Sequence, residues 1–166
     1  VSAGEFDFVR PALEDAGAEI IVHKARIKPG KPVLFAKLPN DAFFFGLPGN
    51  PLSTALALRA FVYPFVRALT GQVVENPNTA TLTKSCKATA DKTVFLLGAV
   101  KVDKKGSLLV TASDRQQSFH TASFAESNCW LISPEGRDVL SQGSAVKWLP
   151  ITPGGCDIGY LPPNGV

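Results

Sequence analysis

Hydrophobic residues follow two different rhythms along this chain. Up to about residue 70 they come as short solid runs, Glu19–His23, Val33–Leu38 and Ala42–Phe45, and then at helical spacing from Pro51 onward. Solid runs of four to six bounded by Gly, Pro or Asn predict buried strands, and the 3.6-residue period predicts a helix over 51–69. Its core positions are Leu52, Ala55, Leu56, Phe61, Val62, Phe65 and Val66, with a kink at Pro64 and a stop at Thr70-Gly71. A first helix is predicted over 5–17, with Asp7 as its cap, Phe8, Val9, Ala12, Leu13 and Ala16 on its apolar side, and Gly17 at its end. Pro39-Asn40-Asp41 reads as a tight hairpin between the second and third strands. Alternation of this kind indicates an α/β domain with a parallel sheet, and three strands are too few to complete one, so half of the domain is expected N-terminal to Val1.

Beyond a linker at 73–78 the rhythm changes to short alternating strands: 79–89, 92–102, 107–112, 129–132, 138–140 and 145–150. Turns fall at Asp103-Lys104-Lys105-Gly106, Pro134-Glu135-Gly136 and Gln142-Gly143. The expected fold is thus a partial three-layer α/β domain over 1–72, followed by a small antiparallel β barrel or sandwich over 79–166.

Composition narrows the classes. Of 166 residues, 45% are hydrophobic and 19% charged, which suits a globular protein with a core. The net charge of +3 is mild and no like-charge block exceeds Lys104-Lys105, so neither nucleic acid nor a membrane surface is an expected partner. Apolar runs stop short of the roughly 20 residues of a span, and no leader opens the chain, which leads to a cytoplasmic expectation. The absence of Met suggests a partial or processed chain. Cys86, Cys129 and Cys156 are far apart and match no metal spacing, so they read as reduced thiols in or near the core. His23 and His120 read as packing or edge residues.

Two segments can carry chemistry. Gly46-Leu47-Pro48-Gly49-Asn50-Pro51 joins a strand to a helix, the place where open α/β sheets bind ligands. Pro48 and Pro51 stiffen it, Gly49 allows close approach, and Asn50 with Pro51 forms an N-cap and first helical position whose dipole favours anions. A purely structural turn accounts for the same residues. Upstream, Lys24, Arg26, Lys28 and Lys31 put four cations within eight residues. In strand alternation Lys24, Arg26 and Lys28 share a face, while Pro29-Gly30 turns Lys31 elsewhere. This makes either an anion site or a solvated edge.

Three stretches in this order resemble the C-terminal part of the molybdopterin molybdenumtransferases, the family of bacterial MoeA and the gephyrin E domain. They are Val1-Ser2-Ala3-Gly4-Glu5-Phe6-Asp7, Lys28-Pro29-Gly30-Lys31-Pro32, and Gly46-Leu47-Pro48-Gly49-Asn50-Pro51. Ser118 and Ser123-Phe124…Asn128-Cys129 resemble the family's last domain, whereas Leu97 stands where related sequences often carry arginine. The resemblance implies a MogA-like α/β fold for the first domain. It also implies an enzyme that inserts molybdate into adenylylated molybdopterin with release of AMP, using magnesium. Asp7, Lys28 and Lys31 would be catalytic. Glu5, Lys24, Pro48, Gly49, Asn50, Pro51, Ser53 and Ser118 would bind substrate, and Asp7 with Glu5 would hold the metal. A homodimer and contact with the molybdopterin adenylyltransferase are implied as well, the fragment alone being expected inactive. The gephyrin branch suggests, as an alternative, a non-catalytic scaffold or peptide-binding module.

Overall fold

The computed structural model describes residues 1, 7–116, 121–153, 155 and 159–160. Contacts divide the chain into two units, Val1–Val73 and Val74–Val166.

The first unit runs α1 (Val9–Asp15), β1 (Glu19–His23), β2 (Ile27–Lys28), β3 (Leu34–Lys37), β4 (Phe43–Gly46), α2 (Pro51–Ala57), a π-helical turn (Leu58–Val62) and α3 (Tyr63–Leu69). The sheet order is β1-β3-β4, with both pairings antiparallel. This differs from the expected parallel sheet. Loops rather than crossover helices join the three strands, and a short loop can only return the chain antiparallel. Helix α1 is shorter than the predicted 5–17, and its N-cap is Phe8, without a side-chain cap. Asp7 lies one residue further out and accepts the Val9 amide at 3.2 Å. Gly17 ends the helix as predicted, at a φ of 78°.

Strand β1 ends at His23, as the sequence predicts, and Lys24 takes a φ of 69°, so the strand alternation that would put Lys24, Arg26 and Lys28 on one face is broken. The connection to β3, which carries the two-residue strand β2, is closed by Lys24 N–H to Val33 O at 2.8 Å and Ala25 N–H to Lys31 O at 2.9 Å.

The helix over 51–69 is continuous, and Pro64 does not break it. A proline lacks the amide and crowds the carbonyl four residues back, and the π turn before Tyr63 widens the helix there, with Tyr63 N–H bonding Leu58 O. Its 19 residues are long and apolar enough to cross a membrane, which differs from the expectation, although core helices pass the same test. Phe65 lies edge-on to Phe35, Phe43 and Phe45 at 5.1, 4.9 and 5.2 Å between ring centres, which fastens α3 to the sheet. Arg59, unremarked in the sequence, is only 3% exposed and lies 5.3 Å from the Tyr63 ring centre. Val66, expected in the core, is exposed, as are Ile21, Val22, Phe43, Leu58 and Leu69.

The second unit contains β5 (Asn78–Leu82), β6 (Cys86–Lys87), β7 (Thr93–Val102), β8 (Leu108–Ala112), α4 (Thr121–Ala125), β9 (Cys129–Ser133), β10 (Val139–Leu140), β11 (Ala145–Pro150) and β12 (Gly159–Tyr160). Strands β7, β8, β5, β11 and β9 pair in that order, and β9 returns to β7, which closes a five-stranded barrel. The pairings are antiparallel except β5 with β8, which is parallel, so the all-antiparallel expectation is corrected at that seam. The predicted strand 79–89 is two strands interrupted at 83–85, and β6 pairs with β10 instead. Leu82, Val94, Leu96, Val100, Val110, Leu131, Val146 and Trp148 fill the core.

Strand β7 is shared between two neighbours that meet at Gly98, which faces Ala112 on β8 and Cys129 on β9. Where β8 has departed, the Gln116 amide replaces it, with Leu97 N–H to Oε1 and Nε2 to Leu97 O both at 2.9 Å. Where β9 has not yet begun, Asn128 does the same for Val100, at 2.8 and 3.0 Å. Two side-chain amides thus pair with the backbone groups of Leu97 and Val100 where a neighbouring strand is missing. Leu97, where arginine was expected, is 1% exposed and apolar packing occupies the position. Cys129 is buried and Cys86 half-buried, both as free thiols; burial pushes the Cys86 thiol up, so it stays protonated near neutral pH. Cys156 and His120 lie outside the described residues.

Candidate functional site

The Gly46–Pro51 segment singled out in the sequence leads into the start of α2. Asn50 is its N-cap, and its Oδ1 accepts the amides of Leu52 and Ser53 at 3.1 and 3.3 Å. Pro51 occupies the first helical position, where no N–H is missed. The Thr54 hydroxyl donates back to the carbonyls of Pro48 and Asn50, and the Thr54 amide bonds Asn50 O at 2.9 Å. The turn is therefore closed on itself, with Pro48 buried inside it.

This closure alters the role expected of the helix N-terminus. The amides of Leu52, Ser53 and Thr54 are already bonded within the turn, so none of them can bind an anion directly. The amides of Gly49 and Asn50 carry no hydrogen bond among the described residues. A β-carbon at Gly49 would meet no atom within 4 Å, so the space beside this backbone is open. Replacing Asn50 by Ala should lower stability by about 1 kcal/mol, read as a shift of the denaturation midpoint, because two first-turn amides lose their acceptor.

The Lys-Pro-Gly-Lys turn is brought to the same place. Gly30 is buried, at a φ of 96°, and its absent β-carbon would stand 3.6 Å from Ser53 O and 3.9 Å from Ser53 Cβ. Glycine is favoured there by the backbone angle, and a β-carbon would make only ordinary van der Waals contact with Ser53. Lys28 and Lys31 flank this contact and are exposed, with no ion-pair partner among the described residues. Lys24 sits exposed at the neck of the same loop, where its amide bonds Val33 O. Ser53, 7% exposed, faces the turn with its backbone.

Val1 also reaches this region: its amino group donates to Leu47 O at 3.0 Å, and its methyl would be 2.7 Å from a β-carbon at Gly46. The first motif thus starts beside the third. Asp7 is half-buried and holds the start of α1; Glu5 and Ser118 lie outside the described residues. His23 meets Arg10 across 3.0 Å from its Nδ1, an exposed contact suited to an edge residue. Arg59 was missed because an arginine in an apolar helix reads as its solvent face. Its burial beside the Tyr63 ring is a tertiary feature that helical spacing does not show.

Comparison with known proteins identifies relatives of both units. Residues 1–68 match the family described as "Probable molybdopterin binding domain", and residues 79–151 match the MoeA C-terminal region, domain IV. The chain is 35% identical over 149 residues to the molybdopterin molybdenumtransferase of Haemophilus influenzae, covering 88% of this chain and 36% of that protein. The chain belongs to the MoeA family. It is likewise 34% identical to the molybdopterin molybdenumtransferase of Synechococcus elongatus, over 89% of this chain and 36% of that protein. A crystal structure of the molybdopterin biosynthesis MoeA protein from Pyrococcus horikosii superposes with a TM-score of 0.68 at 26% identity, over 88% of this chain and 35% of the other. This MoeA-family chain therefore spans about a third of the length of the relatives it matches, and it corresponds to a MogA-like α/β part and a small β domain.

Proposed function

We propose that this chain is part of a molybdopterin molybdenumtransferase, an enzyme of molybdenum cofactor biosynthesis that inserts molybdate into adenylylated molybdopterin and releases AMP. The observation that carries the reading is the contact of Gly30 with Ser53, which sets two unpaired lysines beside a rigid turn with an open backbone edge. Molybdate and a pyrophosphate are both multiply charged oxyanions. Lys28 and Lys31 would neutralise and orient them, Lys24 would add charge at the loop neck, and the Gly49 and Asn50 amides would donate to oxygens that approach the open edge. Pro48, Pro51 and Ser53 hold that edge in place.

Magnesium is a second part of the proposal. Asp7, at the start of α1, is the described carboxylate of the first motif, and the described residues hold no group of three potential ligands. That suits magnesium only in the mode where one or two carboxylates, here Asp7 with Glu5, are completed by water and substrate phosphates. A homodimer, contact with the molybdopterin adenylyltransferase, a cytoplasmic location and a substrate contact from Ser118 belong to the same reading, on the strength of the family alone.

The test is Gly49→Ala. Because the added methyl meets nothing in this chain, the denaturation midpoint should move by no more than about 0.5 kcal/mol. Binding of molybdate or phosphate should nevertheless fall several-fold, since the methyl enters the space an oxyanion would use. Unchanged binding would leave the turn a structural element only.

A further inference from the structure

The second unit holds a cavity that the proposed reaction does not use. After Thr83, whose amide bonds Val110 O at 2.9 Å, the parallel strands β5 and β8 part, and their continuations 84–87 and 112–116 diverge. Between them lies a cavity of about 330 Å³. Leu96 and Ala112, both from the barrel core, and the half-buried Cys86 supply its apolar surface. Its polar lining is Lys84, Lys87, Ser85, Ser113, Asp114 and Gln116.

Several of these groups are already fixed. Gln116 is held at three points, by its two bonds to Leu97 and by Nε2 to Ser113 O at 2.6 Å. Lys84 spans the opening to the Asp114 carboxylate at 3.0 and 3.3 Å, so its charge is matched. Ser85 Oγ accepts the Gln142 amide at 2.9 Å, which leaves its O–H to donate elsewhere. Lys87 has no ion-pair partner among the described residues. Two cations against one carboxylate leave one positive charge beside an apolar surface.

We propose that this cavity at the β5–β8 split binds a small monocarboxylate with an apolar body, its carboxylate on Lys87 and Ser85 and its body against Leu96, Ala112 and Cys86. A single charge is favoured over phosphate because a dianion would find only one unmatched cation and would face the Asp114 carboxylate. An apolar body is favoured because desolvating the Leu96 and Ala112 surface contributes to binding in a way that acetate cannot exploit.

Titration of the isotopically labelled chain with benzoate, followed by amide NMR, tests this. Saturable shifts are expected at the backbone amides of Lys84–Lys87 and Ser113–Gln116 and at the Gln116 side-chain amide. Lys87→Ala should weaken binding about tenfold, the loss of one charge-assisted contact, and Lys87→Gln, which keeps the stem, should weaken it similarly. Benzamide, lacking the charge, and acetate, lacking the body, should each bind several-fold more weakly than benzoate. Shifts that never saturate would overturn the proposal. So would benzamide or phosphate matching benzoate, or both Lys87 variants keeping the affinity of the parent chain.

Discussion

Gly98→Ala should unfold the β barrel more readily than the same methyl at any other glycine of this unit whose surroundings the structure describes. A β-carbon there would lie 2.2 Å from Leu131 Cδ1 and 2.7 Å from the Thr111 carbonyl oxygen. The leucine end could rotate away, but Thr111 is backbone in β8, paired with Ala99 beside it, and cannot yield without opening the ladder. Gly98 is also the residue at which β7 changes partners, so a shift there disturbs β8 and β9 together. The expected cost is about 3 kcal/mol, the upper part of the range for overpacking. For a unit of this size that corresponds to a melting temperature lower by roughly 15 °C. Thermal unfolding followed by tryptophan fluorescence reads it directly, since Trp130 and Trp148 are both buried in this unit. Gly155→Ala is the matched comparison, the same methyl placed in open space in the same unit. If Gly98→Ala were as mild as Gly155→Ala, the close approach of β7 and β8 would be wrong.

How far the fold could be read from sequence depended on the range of the interactions involved. The Asn50-Pro51 cap, the Gly17 stop and the hairpin at Pro39-Asn40-Asp41 are decided by residues within four positions, and they are found as expected. The hairpin is completed by Asn40 Oδ1 accepting the Ala42 amide at 3.2 Å and by the Lys37–Asp41 pair at 2.7 Å. Gly98 carries no local sign of its role, because what forbids a side chain there is Thr111 and Leu131, distant in sequence. Gln116 and Asn128 are ordinary polar loop residues until the strand they complete is known. The parallel β5–β8 seam likewise follows from barrel closure, which no local period encodes. The interruption of the basic segment at Lys24 turned on a single backbone angle, and strand alternation extended across it places three cations wrongly. For the candidate site, residue types and motif order were legible. Their meeting at Gly30 and Ser53 was not, and neither was the self-satisfaction of the α2 amides.

That self-satisfaction shifts the burden of anion binding onto the lysines and sets the second large effect. Because Asn50 occupies the first-turn amides, the helix dipole can contribute only a field, worth about 0.3–1 kcal/mol at an exposed end. Lys28 and Lys31 supply the full charges, and each contact should contribute about 1.5–3 kcal/mol to binding of a multiply charged oxyanion. Lys28→Ala and Lys31→Ala should each weaken molybdate or phosphate binding by about ten- to a hundredfold. The double variant should lose less than the product, since two cations acting on one anion are coupled. Both side chains are exposed and unpaired, so the denaturation midpoint should stay within about 0.5 kcal/mol. Affinity in the parent chain should also fall as ionic strength rises, and that dependence should flatten in the double variant. Lys37→Ala is the control: it removes the same charge at the far end of β3, where Lys37 is engaged with Asp41. Isothermal titration of the four variants against molybdate and phosphate separates the outcomes. Equal losses in Lys37→Ala would reveal a diffuse effect of net charge. Undiminished affinity in both Lys28→Ala and Lys31→Ala would remove the lysine turn from the site and leave the open edge at Gly49 without its cations.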